Sequence, residues 1–590
     1  MDGISDVKCI SKLFADNYRS LYNSISYDSS DMLNIVNELN RKIADEAYVT
    51  DNIVNVLLVK AAVARLKPHK SDGCTDLSSD HLIHARDDLH GHIAFLLNAI
   101  LVHGSLPDNF LYSTIVPIPK GRNVNVADSA NFRGIAVSSV FGKLFDNIVL
   151  QQFSDKLQTS QLQFGFKAKS STNLCTFVLK EAVSYYVNNQ SSVFCTFLDA
   201  TKAFDRINYC KLFRLLLKRD VPPCIVRVML FVYTNNFVRV SWGGLFSEYF
   251  LATNGVKQGG VLSPVLFCVY IDELLVILSK ANIGCFIGKS YVGALAYADD
   301  LVLIAPSASA MRKMLAICDT YAADYCMSFN AQKSKCLVFL SNERRYLRPL
   351  LLDNSFFIGS KPIEFVSSFS HLGHVITDNR DDGPDITKRS GDFIGQVNNL
   401  LCFFGKLSSD VKARLFRSFC TSYYGCELWD LSHRNLLNFC TAWRKGLRRA
   451  WNLPYRTHCV LLPLLSNCIP IFDELCRRSL KFVQSCLSHN SDLVRFVAQF
   501  CIAEGRNSSP CGRNVLFCMR RYQCTSSDTI SNISVDEIVR KHVKGCTNEA
   551  QIRDSKFLFE LVSIRDHVLR LPSDFCPFDI VALIEYVCTS

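Results

Sequence analysis

Apolar residues recur at intervals of three to four along the first part of the chain, as in DMLNIVNELNRKIADEAYVTDNIVNVLLVKAAVARL. This spacing predicts amphipathic helices. The next segment, KPHKSDGCTDLSSDHLIHA, is rich in Gly, Ser and Asp, which favours a loop that leads into a helix. We therefore predict a helical N-terminal extension over residues 1–60.

The pattern changes to short apolar runs, first in STIVPIPKG and then between about residues 191 and 340. The runs STIVPIPKG, SVFCTFLDA, FVRVSWGG and KCLVFL have the composition of strands, and the first is closed by Pro119 and Gly121. Helical patterns beginning near Lys211 and Ser263 lie between them. This alternation predicts an α+β fold with a mixed sheet backed by helices.

Strand signals fade beyond about residue 385, and helical patterns dominate. In SSDVKARLFRSF, Ser408 or Ser409 can cap a helix on which Val411, Leu415 and Phe419 share one face. In LLNFCTAWRKGLRRAWNLP, four positions are predicted to be buried before Pro454: Leu436, Cys440, Trp443 and Leu447.

The second of these helices also carries a cluster of cations, namely Arg444, Lys445, Arg448 and Arg449. Basic residues outnumber acidic ones by roughly two to one between residues 400 and 480, as in surfaces that track phosphates. A solvated helix face explains the same pattern equally well. Both interpretations stay open on the sequence.

Composition narrows the class of protein. Hydrophobic residues make up 49% of the 590 positions and charged residues 20%, which is typical of a folded chain with more than one lobe. The net charge of +11 favours a polyanionic partner, such as nucleic acid, over a membrane. We see no secretory signal or membrane-spanning run and expect an intracellular protein, in the nucleus or cytoplasm, that is not secreted.

Cysteine is abundant, with 26 copies, but no C-x-x-C pair and no Cys/His quartet with zinc spacing is present. We interpret these residues as buried thiols in a reducing compartment rather than as metal ligands.

Two acidic positions interrupt apolar strand patterns. Asp299 and Asp300 lie in ALAYADDLVLIA, where a hairpin apex would present a carboxylate at the sheet edge, and Asp199 ends the strand of FLDATKAFDRIN. If the two strands are neighbours, the carboxylates converge, and oxygen ligands of this kind select Mg²⁺ or Mn²⁺. An acidic hairpin turn would explain the YADD segment alone.

The order of motifs resembles that of a known family. FLDATKAFD, NGVKQGGVLSPVLFCVYIDEL, ALAYADDLVLIA, SFNAQKSKCLVF and FSHLGHVIT resemble motifs A to E of reverse transcriptases. The upstream segments KPHKSDGCTDLSSDHL, IVPIPKG, NFRGIAVSSVFGKLFDNIV and QFGFKAKSSTNL resemble finger motifs of non-LTR (LINE-type, jockey-like) retrotransposon polymerases. The resemblance covers roughly residues 60–380 and continues more loosely to about 480.

The resemblance implies a right-hand polymerase with mixed fingers, a palm sheet that carries the catalytic aspartates, and a helical thumb. Fingers and palm, including the primer grip, would occupy residues 61–380, and a basic thumb residues 381–480. The last segment, 481–590, is expected to be a helical region without an assigned role.

The resemblance also assigns roles to the acidic motifs. Asp199 and Asp299 would hold two Mg²⁺ ions, for which Mn²⁺ could substitute, with help from Asp300 and the backbone carbonyl of Ala200. Phe204 takes the place of an aromatic steric gate against the ribonucleotide 2′-OH, although an ordinary core aromatic is the alternative. We interpret Asp205, which follows it, as structural.

Nucleotide contacts are implied for four further residues: Lys120, Arg133, Gln258 and Gly259. Lys120 and Arg133 match finger positions that grip the triphosphate, but either could be an ordinary surface cation. Gln258 would contact the nucleotide or its pairing partner, and Gly259 with Gly260 would let the backbone approach it, unless the glycines form only a turn.

The remaining assignments concern proton transfer and nucleic acid. Lys333 is expected to protonate the departing pyrophosphate, with Lys335 as the competing candidate. Leu372 and Gly373 match the primer grip. Template binding is expected along QFGFKAKSST, from Phe164, Lys167 and Lys169, although a core-edge strand with solvated lysines is the alternative. It is also expected along the thumb, from Arg444, Lys445, Arg448 and Arg449.

The expected activity is RNA-directed DNA synthesis from a primer 3′-OH, with an RNA template, a DNA primer or nicked target DNA, and dNTPs as partners. No segment resembles the endonuclease that many such elements carry, so a separate endonuclease or an element-encoded RNA-binding protein is a further expected partner. The alternatives are a catalytically silent RNA-binding relic and a group II intron maturase-type polymerase.

Overall fold

A computed structural model describes residues 1–45, 53–71, 77–121, 124–341, 355–453, 455, 457, 459, 462, 468–503, 508–524 and 534–546. The helices named below are α1 (Val7–Tyr22), α2 (Ser29–Asp45), α3 (Val56–Val63), α4 (Ser79–Ile83), α5 (Asp87–His103), α6 (Val140–Gln152), α7 (Thr172–Asn188), α8 (Tyr209–Lys218), α9 (Pro223–Thr234), α10 (Ser263–Lys280), α11 (Ala308–Asp324), α12 (Gly383–Phe404), α13 (Ser409–Phe419), α14 (Asn435–Ala450), α15 (Ile471–Leu487), α16 (Asp492–Ala503) and α17 (Pro510–Arg521).

The strands are β1 (Tyr112–Pro119), β2 (Phe132–Ser138), β3 (Val193–Asp199), β4 (Asn236–Trp242), β5 (Leu245–Phe246), β6 (Phe250–Ala252), β7 (Phe286–Ile287), β8 (Ser290–Tyr291), β9 (Ala294–Tyr297), β10 (Asp300–Ala305), β11 (Lys335–Phe339), β12 (Phe356–Ile358), β13 (Lys361–Phe365), β14 (Ser368–His371) and β15 (His374–Thr377). The strands and helices predicted between residues 112 and 340 are thereby confirmed, and the fold is α+β.

The first sheet has the order β2-β1-β4-β5, with β6 paired to β4. Its β1 and β4 strands run parallel, whereas its other pairings are antiparallel. Helix α1 covers one face, where Ile10, Phe14 and Tyr18 form a small core with Ile115 and Val238. The predicted N-terminal extension therefore packs directly on this sheet.

The second sheet has the order β12-β13-β11-β3-β10-β9. Its central strand β3 is buried along residues 193–198 and becomes accessible only at Asp199. Such continuous burial explains the apolar run FCTFL, because β3 has neighbours on both edges and helices pack against the sheet. The polar end of β3 therefore marks the rim of this sheet.

A second hydrophobic cluster forms around α12, α13 and α14. The interior positions predicted for α14, Leu436, Cys440, Trp443 and Leu447, are buried as expected. In α13, however, the face shared by Val411, Leu415 and Phe419 is not the buried one: Val411 is 41% and Phe419 is 66% exposed. The buried side chains are instead Ala413 and Phe416, and Phe416 packs in the cluster formed with α12 and α14.

The C-terminal helices join both clusters. Val483, Val494 and Val497 pack with the core of the second sheet, whereas Leu475 and Cys518 pack with the α12–α14 cluster. Of the predicted region 481–590, residues 504–507, 525–533 and 547–590 lie outside the described part of the chain. The domain boundaries given above stay a prediction.

None of the described cysteines forms a disulfide bond, and most are buried, in agreement with their interpretation as apolar thiols. Within the described residues, no helix combines the length and the apolar character needed to cross a bilayer.

Candidate active site

Strands β9 and β10 form the hairpin predicted from YADD, with Tyr297 paired to Asp300 and with Ala298 and Asp299 at the turn. Ala298 has φ +57°, a left-handed conformation that is uncommon for residues other than glycine. The turn therefore brings both aspartates to the solvent-accessible edge of a sheet whose interior is apolar.

The strained turn is braced by Gln163, a residue that the sequence analysis did not select. Gln163 is 1% exposed, and its Oε1 accepts hydrogen bonds from Ala298 N at 2.9 Å and Gly165 N at 2.8 Å. A Cβ atom on Gly165 would lie 2.4 Å from Ala298 N, so this close approach requires glycine. The QFGF segment thus fixes the backbone of the YADD turn.

Strand β3 places the third carboxylate beside the hairpin. Asp199 is the direct partner of Asp300 in the antiparallel pairing of β3 with β10. Directly opposed residues of antiparallel strands project from the same face, with Cβ atoms about 4.5–5.5 Å apart. The structure therefore brings together the three aspartates expected to act together, which we call the carboxylate cluster: Asp199, Asp299 and Asp300.

Burial and the proximity of other carboxylates raise the pKa of Asp299 and of Asp300. The surrounding protein, followed by the charges of Asp299 and Asp199, raises the pKa of Asp300 to about 6. The pKa of Asp299 is also raised, first by desolvation and then by the charge of Asp199, while Arg133 lowers it. Like charges held together disfavour the ionised form, and a cation would relieve this repulsion.

The donor chemistry of the carboxylate cluster fits a hard divalent cation, because all its side-chain ligands are oxygens. Over the residues that the structure describes, no three His, Cys, Asp or Glu side chains stand close enough to form a complete metal-binding group. Magnesium sites often use one or two carboxylates and are completed by substrate phosphates and water. The cluster therefore fits an incomplete site of that type rather than a closed structural one.

Four cations border the carboxylate cluster, and we call them the basic rim: Lys120, Arg133, Lys202 and Lys333. Burial lowers the pKa of Lys120, and the charges of Lys333, Arg133 and Lys202 lower it further. The Nζ of Lys333 lies 3.9 Å from the Asp199 carboxylate. Positive charges next to paired carboxylates suit a polyphosphate, and Lys202 belongs to this rim although the sequence analysis did not select it.

The two candidate lysines for proton transfer differ in their surroundings. Lys333 is 69% exposed at the rim and faces Asp199. Lys335 donates instead to Glu364 at 2.7 Å and to the Gln332 carbonyl at 2.6 Å. The structure thus favours Lys333 geometrically, because Lys335 is already engaged with other partners.

Phe204 lies between the cluster and the core. Its ring stacks on Phe267 with centroids 4.7 Å apart and meets the edge of Phe166 at 6.4 Å. Phe204 is only partly buried, so one part of the ring remains accessible. The ring contacts are compatible with both a steric gate and an ordinary core aromatic. The accessible part of the ring is what a steric gate requires.

Gln258 and Gly259 lie at the edge of the first sheet. Gln258 O accepts a hydrogen bond from Ala136 N at 2.6 Å. Gly259 has φ +106°, and a Cβ there would lie 2.9 Å from Ala136 O. The glycine is therefore required by the close approach of two backbone segments, beside the strand that carries Arg133.

The segment expected to form the primer grip is the β14–β15 turn. Leu372 and Gly373 both have positive φ angles, +48° and +82°. Leu372 O accepts a hydrogen bond from the Tyr424 hydroxyl at 2.7 Å, and Gly373 O accepts one from Arg389. The hairpin also packs on β3, since the His371 and Phe197 rings are 4.8 Å apart.

The template predictions for QFGFKAKSST are only partly compatible with the structure. Phe164 is wrong as a nucleic-acid contact, because it is 2% exposed and belongs to the hydrophobic core. Lys167 is partly buried, and its Nζ donates to the Thr159 and Ser160 carbonyls at 2.9 and 2.5 Å. Lys169 and the neighbouring Phe166 remain exposed and available for contacts with a ligand.

The four cations of α14 divide into two groups. Lys445 and Arg449 line a groove of about 410 Å³ between α12 and α14, where Arg449 also donates to Asn398 Oδ1 at 2.7 Å. Arg448 bonds the Thr457 carbonyl, and Arg444 lies on the same side of the helix. The four cations therefore lie on two neighbouring faces of the helix, and their role in binding nucleic acid stays a prediction.

Comparison with known proteins agrees with this geometry. The family model "Reverse transcriptase (RNA-dependent DNA polymerase)" matches residues 118–395. The chain is 28% identical over 284 residues to the Pol polyprotein of the type-2 retrotransposable element R2DM of Drosophila melanogaster, covering 47% of this chain and 26% of that protein. It is 23% identical over 421 residues to the RNA-directed DNA polymerase from mobile element jockey of the same organism, covering 67% of this chain and 44% of the relative.

The chain thus spans less than half the length of these two relatives. Among solved structures, telomerase from Candida tropicalis in complex with a telomeric RNA fragment aligns over 68% of this chain and 65% of its own, with 13% identity and a TM-score of 0.35. The family match includes the carboxylate cluster, the whole basic rim and the β14–β15 turn, as expected for a right-hand polymerase. Residues 118–395 therefore form a reverse transcriptase domain similar to those of non-LTR retrotransposon polymerases.

Proposed function

We propose that this chain is an RNA-directed DNA polymerase that extends a primer 3′-OH on an RNA template. The observation that carries the proposal is the convergence of Asp199, Asp299 and Asp300 at the rim of one sheet. Burial, followed by the charges of neighbouring carboxylates, raises the pKa of Asp299 and of Asp300, and such shifts are common in catalytic sites.

We propose that Asp199 and Asp299 hold Mg²⁺, assisted by Asp300 and the Ala200 carbonyl. Paired divalent ions in such sites activate the attacking oxygen and stabilise the leaving group of an in-line phosphoryl transfer. The contribution of the chain is to hold the carboxylates at a fixed spacing through the β3–β10 pairing and the turn braced by Gln163.

The incoming dNTP would place its phosphates against the basic rim and its sugar against Phe204. Lys120, Arg133 and Lys202 supply positive charge, and Lys333 stands nearest the carboxylates as the proton donor to pyrophosphate. The primer terminus would lie at the Leu372–Gly373 turn, and the α12–α14 segment would contact the duplex as a thumb. The use of nicked target DNA as primer and of the element's own RNA as template is part of this proposal and rests on the motif resemblance to non-LTR retrotransposon polymerases.

The direct test is primer extension with Mg²⁺ on a defined RNA template. Asp299→Ala should abolish extension, because truncation removes a metal ligand while the hairpin backbone remains held by Gln163. Asp155→Ala, at an exposed turn position, serves as the matched control and should extend like the unsubstituted chain. Equal extension by the Asp299→Ala variant would overturn the metal assignment, and RNA binding without extension by the unsubstituted chain would favour the silent RNA-binding relic.

A further inference from the structure

Asp205 is a buried carboxylate that has no part in the chemistry described above. It follows Phe204 in the chain and is 5% exposed. Its Oδ1 accepts a hydrogen bond from Gln258 Nε2 at 2.7 Å. The Tyr22 hydroxyl lies beside the same carboxylate and lowers its pKa. Lys202 and Arg133 of the basic rim also face it. A buried carboxylate is tolerated only with such partners, so the arrangement is specific.

The contact with Asp205 fixes the orientation of the Gln258 amide. An ionised carboxylate can only accept hydrogen bonds, so the NH₂ end of the amide must face Asp205. The amide oxygen and the second N–H are then left for other partners. The Gln258 backbone is held as well, through its carbonyl contact with Ala136 N.

Tyr22 brings a segment from outside residues 118–395 to this contact. It ends α1, is 6% exposed, and its carbonyl accepts hydrogen bonds from Thr253 N at 2.9 Å and Asn254 N at 3.0 Å. Asn254 in turn donates from Nδ2 to the Asp205 carbonyl at 2.6 Å. The end of α1, the Asp205 turn and the segment leading to Gln258 therefore form one connected network.

Close packing leaves this network little freedom to shift. A Cβ on Gly255 would lie 2.7 Å from Asp205 O. Gly134, next to Arg133, would bring a Cβ to 2.9 Å from the Tyr18 ring of α1. Helix α1 thus packs against the strand that carries Arg133. It also lies beside Asp205, the carboxylate that accepts the hydrogen bond from Gln258.

We propose that Asp205, held by Tyr22, is a positioning residue that orients the Gln258 amide toward the incoming nucleotide. The role rests on the proposed polymerase function and extends the nucleotide site to the N-terminal helix. It predicts a defect in nucleotide affinity rather than in the chemical step, since neither residue belongs to the carboxylate cluster.

The test is steady-state incorporation of a single dNTP by the full chain on an RNA template. Asp205→Asn leaves the side-chain volume nearly unchanged. The new amide can both donate and accept, so either end of the Gln258 amide can face it. Tyr22→Phe removes the hydroxyl that lies beside the carboxylate. Each should raise KM for the dNTP about five- to tenfold, the size expected for weakening a hydrogen bond to a charged group, and leave kcat within about twofold.

Two controls separate positioning from folding. Tyr18→Phe removes a hydroxyl from the same helix, one turn earlier, and should leave KM unchanged. In a Gln258→Ala background, Asp205→Asn should have no further effect on KM, because the group that it orients is gone. Melting temperatures of all variants should show that each is folded under the assay conditions.

The outcomes distinguish this inference from the proposed function. Absence of extension by the unsubstituted chain overturns the polymerase proposal and this role together. Extension with unchanged KM in Asp205→Asn and Tyr22→Phe overturns the positioning role alone. Full additivity with Gln258→Ala also overturns it, because Asp205 would then act through some group other than Gln258.

Discussion

Asp199 and Asp300 lie directly opposite each other on two antiparallel strands, so that two carboxylates share one face at the rim of the second sheet. Adjacent residues of one strand would point to opposite faces. The turn at Ala298 and Asp299 brings the third carboxylate to the same rim. Burial and the proximity of like charges both disfavour the ionised forms of Asp299 and Asp300, so this arrangement costs stability.

The first prediction concerns that loss of stability. The pKa of Asp300 is raised to about 6, so folding disfavours its ionised form. The penalty is complete above pH 6, declines as the pH falls toward 3.8, and vanishes below it. Asp300→Asn should therefore raise the free energy of unfolding at pH 7.5 in EDTA by about 1 kcal/mol, a value reduced for solvent screening of an accessible group.

Urea denaturation of the two proteins measures this difference. Asp155→Asn provides the control at an exposed turn and should change the free energy of unfolding by less than about 0.5 kcal/mol. A destabilised Asp300→Asn variant would show that the carboxylate makes favourable contacts that outweigh the repulsion.

The second prediction concerns metal binding and pH. A carboxylate must lose its proton before it can bind a metal. The pKa of Asp300 is raised to about 6, and the pKa of Asp299 is raised as well. The dissociation constant for Mn²⁺, measured directly by titration calorimetry, should increase by up to about tenfold per pH unit below pH 6. Direct binding is preferable to activity because Asp205, whose pKa is also about 6, would affect the rate independently.

Asp300→Asn provides the matched comparison, since it removes from the titration the carboxylate whose pKa is raised to about 6. Its Mn²⁺ affinity should be weaker at pH 7.5 and should depend less on pH. A dissociation constant that is independent of pH between 5.5 and 7.5 would contradict the assignment of these carboxylates as ligands.

Much of the site could be predicted from the sequence because it is encoded locally. The apolar run before Asp199 and the YADD pattern each specify a strand with an acid at its end. The resemblance to ordered polymerase motifs implies that these two strands are neighbours in one sheet. Gln163 was missed because its function depends on a contact 135 residues away, with Ala298. The Tyr22–Asp205 contact likewise spans two segments whose local patterns show only an aromatic helix end and an acidic turn.

Errors in the sequence analysis have a common physical origin. Phe164 was assigned to the template together with the whole QFGFKAKSST segment, yet its backbone pairs with Ala296 and its side chain belongs to the hydrophobic core. On α13, Val411 and Phe419 form a regular apolar face, but tertiary packing selects Phe416 instead. Periodicity identifies an apolar face without stating which neighbour covers it.

The third prediction tests Phe204 as a steric gate. Its ring stacks on Phe267 with the two centroids 4.7 Å apart. This packing restricts movement of the Phe204 ring away from a ribose 2′-OH. Phe204→Val should increase incorporation of ribonucleotides relative to deoxyribonucleotides by about 10- to 100-fold, measured as the ratio of kcat/KM values. Phe204→Tyr keeps the ring and should retain the discrimination, whereas an unchanged ratio in Phe204→Val would identify Phe204 as a core aromatic only.

The fourth prediction concerns the seam between the β14–β15 hairpin and the α12–α14 cluster. Asp385 is 3% exposed and accepts hydrogen bonds from Val375 N at 2.9 Å and Trp429 Nε1 at 2.7 Å. Asp385→Ala leaves two buried donors unsatisfied and should lower the free energy of unfolding by about 3 kcal/mol.

Asp392→Ala is the comparison on the same helix, because that carboxylate is 50% exposed and pairs with Arg389 at the surface. It should lower the free energy of unfolding by less than about 1 kcal/mol. Equal losses for the two variants would mean that Asp385 does not hold the seam together.

The fifth prediction separates the two lysines that follow the YADD hairpin. Lys333 Nζ is 3.9 Å from Asp199 at the rim, whereas Lys335 is bound to Glu364 and to the Gln332 carbonyl. A general acid must reach the leaving group, and general acid catalysis typically contributes about 10²–10⁴-fold. Lys333→Gln should therefore lower the single-turnover rate of incorporation by about 10²-fold, while Lys335→Gln should stay within about threefold.

The pair is well matched because both substitutions remove one positive charge from the same short segment. A general loss of electrostatic attraction for the nucleotide would raise KM in both variants to a similar extent, since neither cation is far from the rim. A specific proton donor affects the rate at saturating dNTP in one of them only. A large rate loss in Lys335→Gln with a normal rate in Lys333→Gln would transfer the role to Lys335 and would require that its contact with Glu364 opens when nucleotide binds.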